Sequence, residues 1–138
     1  MDVRRIRAGP NTAAVGEWHD SSMCPSVLIV DDHDDFRASA RALLEAQGFE
    51  VVGDVEDGEA ALAASALLQP AVVLLDVQLP GMDGFEVAER LAVMEEAPLV
   101  VLISSRRRSA YEARLSGAPV AGFLGKHELS GPALAALL

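Results

Sequence analysis

The chain has 138 residues, 51% of them hydrophobic, a single cysteine and a formal net charge of -10. That is room for one domain with a substantial core, in a composition too apolar for intrinsic disorder. The acidic balance argues against nucleic acid as a direct partner, and no apolar run approaches the roughly 18 residues that cross a bilayer.

Residues 1–25 hold Gly, Pro, Asn, Ser and His without apolar periodicity and are expected to form a flexible arm. Arg4, Arg5 and Arg7 are not followed by an apolar stretch, so the arm is not a secretory signal. It holds the only tryptophan, Trp18, and the lone Cys24, which cannot form an internal disulfide and fits a reducing cytoplasm. Met23 offers an alternative start just ahead of the first strand, and no function is assigned to the arm.

From Ser26 onward strands and helices alternate. Strands are predicted near Val27–Val30, Val51–Val55, Ala71–Leu75, Leu99–Ile103 and Val120–Leu124. Three of them are continuous apolar runs, as expected for parallel strands covered on both faces. The first helix places Phe36, Ala40, Leu43 and Leu44 on one face and stops at Gly48. The second runs from Gly58 to Leu68, ahead of Pro70. The third follows Gly84 to about Met94, with Phe85, Ala88 and Leu91 inward. A fourth is predicted over Arg107–Ser116, and a fifth opens with Ser130 as N-cap and Pro132 in its first turn. Five βα units without an internal repeat predict an α/β, doubly wound parallel sheet. Ligands of such sheets bind beyond the carboxyl ends of the strands, where the strand order reverses.

Those strand ends carry the chemistry. The first delivers Asp31 and Asp32, the third Asp76, the fourth Ser104 and the fifth leads to Lys126. Lys126 is the only lysine, against ten arginines, which suggests that a compact ammonium is needed there. A carboxylate can attack phosphorus if a hard cation with oxygen ligands relieves the repulsion between anions. Asp-Asp, Asp, Ser and Lys in this order therefore describe a phosphoryl-accepting site around a divalent metal.

The segments VLIVDD, LLDVQLPGMDG, VVLISS and GFLGK, in this order and spacing, resemble the receiver domains of bacterial two-component response regulators. The resemblance covers residues 26–138. It implies a flavodoxin-like sheet with strand order 2-1-3-4-5 and phosphorylation of Asp76 by a sensor histidine kinase or phosphotransfer protein. It further implies Mg²⁺ held by Asp32 and Asp76, by Asp31 through water, and by the backbone carbonyl of Gln78. Lys126 and the Ser104 hydroxyl would contact phosphoryl oxygens, with Ser105 competing for the serine role. Phe123 takes the aromatic switch position but lacks the hydroxyl of a tyrosine, and His127 stands where many relatives place a cis proline. Gln78 and Arg106 would flank the path of the attacking water. The signalling face would be the fourth helix, fifth strand and fifth helix. The chain ends near the end of the predicted fifth helix, so a stand-alone cytoplasmic receiver is expected.

Two other readings keep part of this pattern. A phosphohydrolase of the haloacid-dehalogenase type needs an acid/base Asp two residues after its nucleophile, where Gln78 stands. A binding scaffold without phosphorylation has no need of the whole set of five residues. His33 and His127 have no second His or Cys at ligand spacing, so zinc is not expected. Charge is divided unevenly: residues 26–103 carry a net of -13 and residues 104–127 a net of +4. The Arg106–Arg114 region is thus expected to meet an acidic partner or a second copy of the chain.

Overall fold

The computed structural model describes residues 25–138, so the predicted arm, with Trp18 and Cys24, lies outside the described residues except for Pro25. Strands β1 (Ser26–Val30), β2 (Glu50–Val55), β3 (Val72–Asp76), β4 (Leu99–Ser104) and β5 (Gly122–Gly125) form one sheet in the order β2-β1-β3-β4-β5. All four pairings are parallel. The helices are α1 (Asp34–Ala46), α2 (Gly58–Leu68), α3 (Gly84–Ala92), α4 (Glu112–Leu115) and α5 (Gly131–Ala135). This is the doubly wound, flavodoxin-like architecture that the sequence predicts.

Alternation along the central strands sorts the core into two layers. Leu28, Val30, Val73, Leu75, Val100 and Leu102 pack with Ala61 of α2 and Phe85, Ala88 and Leu91 of α3. Val27, Ile29, Val72, Leu74, Val101 and Ile103 pack with Ala40 and Leu44 of α1 and Leu134 of α5. A strand buried on both faces must be apolar at every position, which is why β1, β3 and β4 read as unbroken runs. Helix entries are fixed by side chains: Asp57 accepts the Ala60 N–H at 2.8 Å, Asp83 the Glu86 N–H at 3.0 Å and Ser130 the Ala133 N–H at 3.0 Å. Each such cap contributes about 1 kcal/mol.

Two elements depart from the predicted pattern. In place of a continuous fourth helix, a turn of 3₁₀ helix over Arg108–Tyr111 is followed by the single turn of α4. Only Tyr111 is buried in this arginine-rich stretch, with Leu115 half-buried, so the apolar stripe that stabilises a longer helix is missing. The fifth strand starts at Gly122, not Val120. Pro119 has no N–H to donate, and the Val120 N–H turns back to the Ala118 carbonyl at 2.9 Å.

One close approach sets the end of β3. A Cβ on Gly84 would lie 2.5 Å from the Asp76 carbonyl oxygen and 2.8 Å from the Val77 Cα, and the Gly84 N–H already donates to the Val77 carbonyl at 2.8 Å. Helix α3 thus begins against the backbone that carries Asp76. Gly84→Ala is expected to lower the unfolding free energy by roughly 1–3 kcal/mol, because backbone on both sides must yield. Urea unfolding of the two proteins measures it, and a loss below about 0.5 kcal/mol would mean that the contact relaxes freely.

Candidate functional site

The carboxyl edge of the sheet gathers the predicted residues. Asp31 follows β1, Asp76 closes β3, Ser104 closes β4 and Lys126 follows β5. Asp31, Asp76 and Ser104 are buried, whereas Asp32 is exposed. The neighbouring pairs Val30–Leu75 and Asp76–Ile103 in the sheet register bring the two buried carboxylates to one place. The Lys126 ammonium lies 2.6 Å from Asp31 Oδ2 and 3.4 Å from Asp76 Oδ2, and 4.7 Å above the Phe36 ring.

Asp31 is held from several sides. Its N–H donates to the Val55 carbonyl at 3.0 Å, its Oδ1 accepts the His33 N–H at 2.8 Å, and its carbonyl accepts from Arg37 Nη1 at 2.6 Å. The His33 ring also lies here, with Nδ1 2.8 Å from Asp31 Oδ1 and 3.2 Å from Asp32 Oδ1. Asp76 Oδ1 accepts the Gln78 N–H at 3.2 Å, which orients the carboxylate and brings the backbone of Gln78 beside it.

Burial, and next the Asp31 charge, push the Asp76 carboxyl up to about 6, against the opposing pull of the Gln78 N–H and Lys126. Two buried carboxylates share one ammonium, with the exposed Asp32 beside them, so the pocket is short of positive charge. Asp31, Asp32, His33 and Asp76 each bring one ligand atom within 4.8 Å of the others. A mainly carboxylate donor set suits a hard, oxygen-preferring cation such as Mg²⁺.

The remaining site residues form a second, more apolar group. Ser104 Oγ accepts the Arg106 N–H at 2.9 Å and lies 3.3 Å from the Tyr111 hydroxyl. Ser105, by contrast, is exposed. The Tyr111 ring sits between Phe85 at 5.9 Å and Phe123 at 6.0 Å, both tilted. Phe123 is itself buried. Tyr111, Phe36 and Arg37 join the site although no motif in the sequence marks them. The available signals were the uniqueness of Tyr111 as the sole tyrosine and the closeness of Phe36 and Arg37 to Asp31 and Asp32. His127 is exposed and makes no contact with the carboxylates among the described residues.

Residues 27–136 match the family model of the response regulator receiver domain, and the chain belongs to that family. It is 39% identical over 101 residues to the response regulator GacA of Pseudomonas protegens, covering 72% of this chain and 47% of the relative. It is 35% identical over 111 residues to the transcriptional regulatory protein PdtaR of Mycobacterium tuberculosis, covering 80% of this chain and 52% of the relative. Among solved structures it is similar to the signal receiver domain of NarL from Mycobacterium tuberculosis. There the identity is 37% and the TM-score 0.69, over 83% of this chain and 96% of that one. The chain spans about half the length of the curated relatives it matches. Receiver domains are signalling domains, and among the described residues no helix is long and apolar enough to cross a membrane.

The raised Asp76 value makes stability depend on pH. Between the ordinary carboxyl value of 3.8 and about 6 the folded state holds a proton that the unfolded chain releases, so stability falls as pH rises through this window. In metal-free buffer at pH 7, Asp76→Asn is expected to be more stable than the parent by roughly 1–3 kcal/mol, a gain that shrinks to nothing near pH 4. Urea unfolding with a chelator at both pH values measures it. An Asn variant no more stable than the parent at pH 7 would mean that Lys126 already compensates the charge.

Proposed function

We propose that the chain takes a phosphoryl group onto Asp76 from the phosphohistidine of a sensor histidine kinase or phosphotransfer protein, and so signals to a partner. The observation that carries this reading is the buried Asp76 carboxylate at the end of the central strand, sharing the Lys126 ammonium with Asp31. In the step itself an Asp76 oxygen attacks phosphorus, the P–O bond forms and the P–N bond to the donor imidazole breaks. Asp31, Asp32, Asp76 and the backbone carbonyl of Gln78 would hold Mg²⁺, whose charge offsets that of the reacting oxygens. Lys126 supplies a cation for one phosphoryl oxygen, and the Ser104 hydroxyl donates to another. Gln78 and Arg106 border the pocket and tune how long the acyl phosphate survives attack by water. The reading places the protein in the cytoplasm as a receiver domain spanning residues 26–138.

The output face proposed is that of α4, β5 and α5, with Phe123 and Ser104 as its link to the pocket. Arg106, Arg107 and Arg108 are exposed and, among the described residues, have no ion-pair partner. Arg114, which the sequence grouped with them, is occupied: it pairs with Asp83 at 2.9 Å and lies 4.2 Å over the Phe85 ring. Three arginines on a chain otherwise strongly acidic suit an acidic partner surface or a second copy of this chain. Such rim charges act mainly on the rate of association and are screened over about 8 Å at physiological salt.

Incubation with acetyl phosphate and Mg²⁺ should add one base-labile phosphoryl group, absent from Asp76→Asn. Persistence of the added mass in that variant would end the reading. Mg²⁺ alone should raise the unfolding temperature, by roughly 2.7 kcal/mol of stabilisation at about 100 times its dissociation constant, and Asp32→Ala should remove most of the shift. For the output face, replacing Arg106, Arg107 and Arg108 with Ala should slow capture of the partner, or dimerisation, at low salt while leaving phosphorylation intact. Association indifferent to both salt and the arginines would assign output to another surface.

A further inference from the structure

The contact between Ser104 and Tyr111 lies outside the acceptor chemistry yet engages a hydroxyl that this chemistry needs. A serine hydroxyl has one proton to donate and two lone pairs to accept with. One lone pair of Ser104 Oγ takes the Arg106 N–H at 2.9 Å, and the Tyr111 hydroxyl lies 3.3 Å away on the other side. The second distance is long for a bond between hydroxyls, which usually close to 2.7–2.8 Å. It is a weak bond in a buried place, and among the described residues it is the only hydrogen bond of the Tyr111 side chain.

The element that carries Tyr111 is slight. One 3₁₀ turn and one α turn hold it between β4 and β5, anchored by the Phe85 and Phe123 rings and by Arg114 on Asp83. Short segments with few buried contacts open at low free energy. Phe123 has no hydroxyl of its own, so the polar partner of Ser104 on this side comes from the 3₁₀ turn ahead of α4 and not from β5.

We propose that Tyr111 is a positioning residue: its hydroxyl holds the Ser104 hydroxyl in the resting state, and phosphorylation draws Ser104 away from it. This rests on Asp76 being the phosphoryl acceptor. When Ser104 turns to the phosphoryl oxygen, Tyr111 is left as a buried hydroxyl without a partner, an unfavourable state that it leaves by moving. The Arg108–Leu115 segment moves with it, and the adjacent Arg106 and Arg107 are re-aimed. The charge state of the pocket is thereby passed to the basic surface through one weak hydrogen bond.

Tyr111→Phe deletes the bond and keeps the ring, so its unfolding temperature should stay near that of the parent. With acetyl phosphate and Mg²⁺, phosphoryl uptake by this variant should be faster by about threefold to tenfold, the factor that one neutral hydrogen bond represents. In the Ser104→Ala background the same change should have no effect. Slower uptake in Tyr111→Phe, or an equal gain with and without the Ser104 hydroxyl, overturns the proposal. Because Tyr111 is the sole tyrosine, meta-fluorotyrosine labelling yields one fluorine resonance that reports the contact directly. It should move on Ser104→Ala before any phosphorylation, and again in the parent when acetyl phosphate and Mg²⁺ are added. An unmoved resonance in Ser104→Ala overturns the contact whatever Asp76 does, whereas a moved resonance with no uptake by the parent removes the acceptor reading instead.

Discussion

Two carboxylates buried side by side at the ends of adjacent strands, with one ammonium between them, form the constraint around which the structure is arranged. Asp31 and Asp76 are nearly inaccessible, and Lys126 reaches both. Burial, and next the Asp31 charge, disfavour the charged form of Asp76, which is why its carboxyl is held up at about 6. Such a cluster persists only where the surrounding frame is stable enough to hold it. The unbroken apolar strands β1 and β3, packed on both faces, provide that frame. The fold concentrates negative charge where it is least comfortable, which is the condition that a hard cation with oxygen ligands relieves.

The second layer of support lies around Asp31. Arg37 donates to the Asp31 carbonyl and, through Nε, to Asp54 Oδ1 at 3.0 Å, while Arg41 donates to Asp54 Oδ2 at 2.8 Å. Asp54 near the end of β2 therefore joins two arginines of α1, and Arg41 first among them holds its carboxyl below the usual range. This network fastens the start of α1 to the edge strand β2. The turn Asp31–Asp32–His33 is thereby fixed at both its backbone and its side chains, without a side-chain cap on α1. Its arginines are partly buried and well paired, unlike Arg106, Arg107 and Arg108 at the other end of the site. The chain thus uses its few cations in two ways, as fixed braces near β2 and as exposed charge beside β4.

Much of this was legible in the sequence, for a definite physical reason. Strands buried on both faces leave an unmistakable run of Val, Leu and Ile, and each run ends on the residue that it presents, so Asp31, Asp76 and Ser104 can be read off in order, while Lys126 follows the glycine-bounded β5 and is marked by being the sole lysine. The Ser130 cap follows from local spacing in the same way, whereas the caps Asp57 and Asp83 emerge only in the structure, just ahead of α2 and α3. What spacing does not encode is pairing between elements. Arg114 looks like one more surface arginine of a basic helix, yet Asp83, 31 residues away, claims it. Phe36 reads as a core residue of α1 and proves also to lie under the Lys126 ammonium. The spacing around Tyr111 predicts a continuous helix, whereas the phenol reaches Ser104 from a 3₁₀ turn.

The lone lysine shows how residue choice follows from this geometry. Lys126 leaves the edge strand β5 in a turn closed by the Gly125 N–H on Glu128 Oε1 at 2.9 Å, which carries it back over the strand ends. Its target is not one carboxylate but single oxygens of two, on different strands. An arginine fork matches both oxygens of one carboxylate and would pair with Asp31 or Asp76 in preference to bridging them. An ammonium is a point charge with three rotatable donors, so it can bridge the two and still offer a proton to a third group. In a chain that writes every other positive charge as arginine, the exception stands where one small cation must serve several oxygens at once. That requirement comes from the sheet, which sets Asp31 and Asp76 on neighbouring strands.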